Sequence, residues 1–229
     1  MGTYHTVAPG EHLSGIAHAH GFASYKTIWE AAENQKLKEE RKNPNILLVG
    51  DRVFIPEKET KEESRPTDKK HRFEFQPETL KLRIGLMDLK NKPIEGHLCS
   101  LTVEGKSIDL TTKGDGTVED FIPNLAAVGK LVDHGKPGEE PHIEREIPLK
   151  IGHLDPEDTV SGQIARLNNL GYNAGVVPDH ALTDNEAETL RKSPQFLSAV
   201  EEFQCDFGLK VDGICGKNTR DKLVKVHGC

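Results

Sequence analysis

Gly208-Leu209-Lys210-Val211-Asp212-Gly213-Ile214-Cys215-Gly216-Lys217-Asn218-Thr219 decides the fold of the last third of the chain. Gly208 closes a helix, Gly213 and Gly216 permit a tight turn, and Asn218 or Thr219 stands where a polar cap opens the next helix. Upstream, Ser193-Pro194 reads as an N-cap followed by proline at the first helical position. Phe196, Leu197, Val200 and Phe203 then form an apolar stripe at helical spacing. Downstream, a final helix is expected from about Asn218 to Val226. Working back from the stripe, Asp158 can cap a helix carrying Val160, Ile164 and Leu167 that ends at Gly171, with a middle helix near Asp184 to Arg191. The expectation is a helical domain over 155–229.

The period changes before Gly152. Leu80, Leu82, Ile84 and Leu86 alternate on one face, and Cys99, Leu101 and Val103 repeat the pattern of a half-buried strand. Val118 to Ile122, Gly129 to Val132 and Ile143 to Ile151 are further strand candidates. Glu104-Gly105-Lys106 and Lys113-Gly114-Asp115-Gly116 are turn chemistry between them. An antiparallel β-sandwich over 71–152 follows. It is preceded by Glu57 to Lys70 (EKETKEESRPTDKK), which has no apolar residue to offset its ordering entropy and reads as a linker, placed at 58–70. Residues 1–57 read strand, helix, helix, strand: Tyr4 to Ala8, Leu13 with Ile16 and Ala17, Ile28 with Trp29, and Val49 to Ile55 after the Asn43-Pro44-Asn45 breaker.

At 229 residues the chain holds two or three small domains, so the fold class is multidomain α+β. A net charge of −7 argues against a nucleic-acid partner, which needs a basic face. No apolar run approaches the roughly 20 residues of a membrane span, and the first residues lack a basic start and an apolar signal core. The expectation is synthesis in the cytoplasm and action in the periplasm or at the cell wall after non-classical export.

The first segment resembles the LysM module in Tyr4-His5-Thr6-Val7-Ala8-Pro9-Gly10-Glu11-His12-Leu13, Ile16-Ala17, Asn45-Ile46-Leu47 and Gly50-Asp51-Arg52-Val53-Phe54-Ile55-Pro56. That resemblance implies a βααβ fold binding N-acetylglucosamine-containing glycans. Its groove would lie between Pro9 to Ser14 and Pro44 to Leu48, with Gly10, Glu11, His12, Leu13, Ser14, Asn45, Ile46 and Leu47 as site residues. Glu11-His12 replaces the family's usual Asp-Thr, and Glu33 to Asn43 is longer and more charged than usual.

The last segment resembles the three-helix peptidoglycan-binding domain. The residues are Arg166-Leu167-Asn168-Asn169-Leu170-Gly171-Tyr172, Ala199-Val200-Glu201-Glu202-Phe203-Gln204 and the stretch quoted first. It implies a site motif of Asp212, Gly213, Gly216, Asn218 and Thr219. Asn173 to Asp184 stands where the family's first half-repeat carries a turn. Leu80 to Asp88, Lys92-Pro93-Ile94-Glu95-Gly96 and Thr111 to Gly116 resemble transthyretin-like or carboxypeptidase-regulatory Ig-type repeats, which are spacers or docking domains. With Arg41-Lys42-Asn43-Pro44-Asn45-Ile46-Leu47-Leu48-Val49-Gly50-Asp51 closing the first module, the whole arrangement resembles accessory proteins of contractile injection machines, such as type VI secretion spikes and phage-like baseplates.

His12, His18 and His20 are the densest histidine group, but His18 and His20 face different sides of a helix, and solvated surface histidines are expected rather than a metal site. One disulfide among Cys205, Cys215 and Cys229 is an open alternative: Cys215–Cys229 would clip the last helix down, and Cys205 is the other partner. Cys99, between strand neighbours, reads as a small buried hydrophobe. Trp29 reads as core, with Tyr4, Tyr25 and Tyr172 the better exposed rings. No His-Glu-x-x-His and no Gly-x-Ser-x-Gly occurs, so no catalytic residue, metal or cofactor is assigned.

The functional expectation is non-catalytic binding of peptidoglycan through both terminal modules. The alternatives are an adaptor that docks a secretion spike, baseplate protein or effector, and, third, a cell-wall hydrolase.

Overall fold

The computed structural model describes residues 2–58, 64–72, 79–88, 90–138 and 144–229. Of the expected linker, 59–63 lies outside the described residues, and 64–72 is exposed without helix or strand. Ile143, the expected start of the last strand, also lies outside them. The chain is mixed helix and sheet. It divides into two compact units, Met1–Thr3 with Leu13–Ala31 and Ile55–Gly152, and Tyr4–His12 with Ala32–Phe54 and His153–Cys229.

In the first unit, helix α1 spans Leu13–Ala19 and α2 spans Lys26–Trp29, with Ile28 and Trp29 buried. The β-strands that follow form two antiparallel sheets around one core. Strand β3 (Leu80–Gly85) pairs with β6 (Thr117–Ile122), Leu82 opposite Asp120 and Ile84 opposite Val118. The larger sheet has the order β5 (Lys106–Thr111), β4 (Leu98–Val103), β7 (Val128–Asp133), β8 (Arg145–Lys150). Cys99, Leu101 and Val103 of β4 and Leu131 of β7 share their core with Val118 and Ile122 of β6, and the even-numbered apolar residues of β3 pack against it. Burying each such aliphatic side chain contributes roughly 1.5–3 kcal/mol.

The turns explain the register. β4 and β5 are joined by two residues, Glu104 and Gly105, both at positive φ (48° and 76°), which is the primed turn that matches strand twist. Gly116 (φ 75°) admits no side chain, since a Cβ there would stand 2.5 Å from the Leu86 carbonyl oxygen. The edge strand β8 carries Pro148 in its middle, flanked by Arg145, Glu146 and Lys150.

Strand β1 (Thr3–Thr6) pairs with β2 (Arg52–Ile55), and Val7 and Gly50–Asp51 of the second unit continue the pairing. Tyr4 meets Phe54 edge-on and carries the Arg52 guanidinium 4.5 Å from its ring centroid. A 3-10 turn (Ala32–Asn34) leads into α3 (Gln35–Arg41), a helix beyond the two expected. Asn34 is buried, and its amide imitates a strand: Nδ2 donates to the Phe54 carbonyl and Oδ1 accepts from the Phe54 N–H.

Four helices complete this unit: α4 (Val160–Asn169), α5 (Asp184–Arg191), α6 (Pro194–Asp206) and α7 (Lys217–His227). Ser193 caps α6 as expected, and Thr183 with Glu186 closes a capping box on α5. Two expected caps are corrected. Thr159, rather than Asp158, caps α4, accepting from Gly162 N at 3.1 Å while its own hydroxyl donates to the Pro156 carbonyl. The N-cap of α7 is Gly216, with no side-chain bond, because Asn218 already lies inside the helix and Thr219 is buried. Val160, Ile164, Leu167, Phe196, Val200, Phe203 and Leu223 close the core.

Candidate functional site

The stretch 208–219 is organised by a residue to which the sequence reading gave no role. Gln204 is only 1% exposed and lies one turn after Val200 on the buried face of α6. Its Nε2 donates to Asp212 Oδ1 (3.0 Å), the Ile214 carbonyl (3.0 Å) and Thr219 Oγ1 (3.1 Å). Its Oε1 accepts from the N–H groups of Asp212 (2.9 Å) and Gly213 (3.1 Å). Asp212 Oδ1 also accepts from Ile214 N, and that backbone bond, followed by the bond from Gln204, holds the carboxyl below the usual range. A polar side chain in an apolar stripe was the signal in the sequence that marked Gln204.

Asp212, Gly213 and Thr219 are therefore spent on building the turn. Gly213 is buried at φ 67°, with Glu201 Oε1 3.2 Å and Leu197 Cδ2 3.5 Å from where a Cβ would sit. What the turn presents outward is apolar: Ile214 is 66% and Val211 54% exposed, and Leu197 is exposed on the adjacent helix face. Asn218 is exposed and Gly216 half-buried. Exposed aliphatic surface beside the Glu201 carboxylate is chemically suited to a sugar, covering a pyranose face and accepting from its hydroxyls.

The turn after α4 is built by different means. Asn168 Oδ1 accepts from Ala174 N, and its Nδ2 donates to the Gly175 carbonyl at 2.7 Å. Tyr172, expected as an exposed ring, is buried edge-on against Phe203 with its hydroxyl donating to Asp206. Arg166 is buried too, and donates to the carbonyls of Cys229, Asp155 and Gly162 at 2.8–2.9 Å. That contact, not a disulfide, ties down the segment after α7. All four cysteines are free thiols, with Cys205 exposed on α6 and Cys229 Sγ 3.3 Å from His227 Nδ1, so neither of the alternative bridges is formed. Burial pushes the Cys215 thiol up to about 11.

In the first segment, the two loops are each self-braced. Glu11 Oε2 is 2.7 Å from His5 Nε2 and accepts from Ala8 N at 2.8 Å. Arg41 makes a two-pronged bond to Asp51 (2.7 and 2.8 Å), and Asp51 Oδ2 accepts from Leu48 N. Of the eight expected site residues, His12, Leu13, Ile46 and Leu47 are buried, which leaves Gly10, Glu11, Ser14 and Asn45 half-exposed. His12 corrects the expectation of a solvated histidine, whereas His18 is exposed.

The β-domain carries two polar clusters. Asp133, almost fully buried, accepts from Gly135 N and Arg145 and pairs with His97 Nδ1 at 2.8 Å. On the other face, His134 Nε2 lies 2.8 Å from Ser100 Oγ and its Nδ1 2.8 Å from Glu144. This has the atom order of a nucleophile relay, but Ser100 Oγ donates to Asp109 Oδ1 at 2.9 Å. Ser100 also lies mid-strand in β4, paired on both sides, where backbone N–H groups serve the ladder rather than an oxyanion. Cys99 is buried, and desolvation raises its thiol to about 11. Among the described residues, no group of three or more His, Cys, Asp or Glu could hold a metal ion, and no helix is long and apolar enough to cross a membrane.

With α4, α6, α7 and the Gln204-braced turn placed, the comparison that bears on them is a family model. Residues 164–223 match the model described as a putative peptidoglycan binding domain. The match runs from Ile164 in α4 to Leu223 in α7, so it takes in both turns and the buried core between them. The match supports a glycan partner and suggests a cell-wall-binding role. No curated protein and no solved structure matches the chain.

Proposed function

We propose that the protein is a non-catalytic cell-wall adhesin whose peptidoglycan-binding domain holds the polymer through the outward face of the 209–216 turn. The observation that carries this is the family match over 164–223. The exposed aliphatic groups at Leu197, Val211 and Ile214 support it, because the buried polar atoms of the motif are already committed to one another. The N-terminal segment adds a second, weaker contact through its 9–14 and 44–48 loops. Two weak sites on one chain gain avidity when both reach the same polymer. The β-domain acts as the spacer, and the spent hydroxyl of Ser100 supports a non-catalytic reading. Delivery by a contractile injection machine is the export route proposed with it.

Co-sedimentation of the full chain with insoluble peptidoglycan tests this. Wild type should pellet, and Leu197→Ser with Ile214→Ser should pellet several-fold less while keeping the wild-type melting curve. If the intact protein stays in the supernatant, the adaptor reading, with a spike or effector as partner, replaces this one.

A further inference from the structure

Residues 153–158, the lead-in to α4, share the second unit with the 4–12 and 32–54 segments. The helix holds this strap by its main chain, taking three successive carbonyls. Asp155 O accepts from Arg166 Nη1 (2.8 Å), Pro156 O from Thr159 Oγ1 (2.7 Å) and Glu157 O from Gln163 Nε2 (3.0 Å). Gly162 permits the approach, since a Cβ there would collide with the Asp155 and Pro156 carbonyls. The strap's side chains meet the N-terminal segment. The His153 ring lies against Gly10, its Nε2 2.8 Å from where a Cβ would stand. Glu157 Oε1 is 3.8 Å from Lys42 Nζ, and the Asp155 and Asp158 carboxylates act on the Arg41 guanidinium. Lys42 itself caps α3 at φ 58°, a region that usually takes glycine. An acidic strap thus meets the basic end of α3.

We infer that the 153–158 strap is an internal occupant of the N-terminal glycan contact, seated across it and displaced when a sugar binds. This rests on the proposed glycan-binding reading of the 9–14 and 44–48 loops. His153 touches Gly10 in the first loop, and Glu157 reaches Lys42, two residues before the second. The strap therefore runs from one lip to the other, and a sugar ring laid on the Gly10 turn meets the imidazole first. What seats the side chains is weak: a ring against a glycine and a solvent-exposed ion pair that contributes little. A ligand can overcome closure of that kind. A site open for only part of the time binds with its affinity reduced by the open fraction. Because the strap's carbonyls stay bonded to α4, its side chains can leave the loops without unfolding the helical domain.

The test uses the full chain and a tetramer of N-acetylglucosamine, followed by NMR, with carbodiimide cross-linking read by peptide mass spectrometry. In the sugar-free protein carbodiimide should join Lys42 to Glu157, and saturating tetramer should suppress that product. His153→Ala should move the Gly10 amide signal of the free protein. His153→Ala combined with Glu157→Lys should bind the tetramer about five-fold more tightly than wild type while keeping the wild-type melting curve. A missing cross-link together with a Gly10 amide indifferent to His153 shows an unseated strap and overturns the inference whether or not sugar binds. Tetramer that binds the double variant no more tightly than wild type, or binds and leaves the cross-link yield unchanged, overturns the inference and leaves the glycan reading standing. No tetramer binding by either protein sinks the glycan reading, and the masking with it, even where the cross-link forms.

Discussion

Replacing Gln204 by methionine keeps the length of the side chain and removes every hydrogen bond it makes. Five contacts go, from Asp212 N, Gly213 N, Asp212 Oδ1, the Ile214 carbonyl and Thr219 Oγ1. Asp212 and Ile214 are exposed and can turn to water, so their bonds cost little. Gly213 and Thr219 are buried, and an unsatisfied buried group costs about 1–3 kcal/mol. Methionine leaves almost no cavity, and its extra apolar burial offsets part of the loss. The balance is a destabilisation of about 2–4 kcal/mol, a large share of a total that is typically about 5–15. Because several units need not unfold together, the readout should be residue-resolved: native-state hydrogen exchange across a urea series, followed at Gly213 and within α6 and α7. Thr219→Val, which removes one of the five, should cost about 1 kcal/mol by the same measure. A Gln204→Met shift under about 0.5 kcal/mol, with Gly213 N–H as protected as before, would refute the claim that this amide builds the turn.

Glu104 sits at φ 48° in the β4–β5 turn, and Asn tolerates that region better; Glu104→Asn should stabilise the β-domain by about 0.5–1 kcal/mol in urea melts, and a loss would contradict the turn assignment. His227, with its pKa pushed down to about 4 chiefly by burial and then by Arg166, favours the neutral ring in the fold. The stability of the helical domain should therefore be full above about 6.5 and fall as pH drops through about 4, with His227→Gln flattening that limb of the curve. Thiol titration with a chromogenic disulfide should label exposed Cys205 first and leave Cys99 and Cys215 slow until denaturant is added; a mass short of all four reactive thiols would restore the bridge.

Periodicity was legible wherever one face is buried over several residues. The alternations at Leu80 to Ile84 and Cys99 to Val103 became strands facing one core, and the Phe196 to Phe203 stripe became α6 under its Ser193 cap. Helix α3 was not legible, because Leu37 is its single buried apolar residue and one residue has no period. The cap of α4 slipped by one position because Asp158 and Thr159 are both good caps, and the choice is made by a bond to Pro156 that the local sequence does not announce. The burial of His12 and Tyr172 escaped for a shared reason. Each is made tolerable by a distant partner, Asn45 for one and Asp206 for the other, and single-sequence reasoning sees neighbours along the chain. The inward roles of Asp212 and Thr219 escaped for the same reason: the fold bonds both to Gln204 and leaves Val211 and Ile214 exposed.

Strand β8, with Pro148 at its centre and charge on both sides, has a consequence on a crowded wall. Under the proposed binding at both ends, many identical sheets would come close together, and open sheet edges at such density recruit one another into fibrils. Proline lacks the N–H that would seed such pairing, and Arg145, Glu146 and Lys150 resist a matching strand. Under the proposed wall binding, this edge would let copies accumulate at high local density while remaining separate molecules.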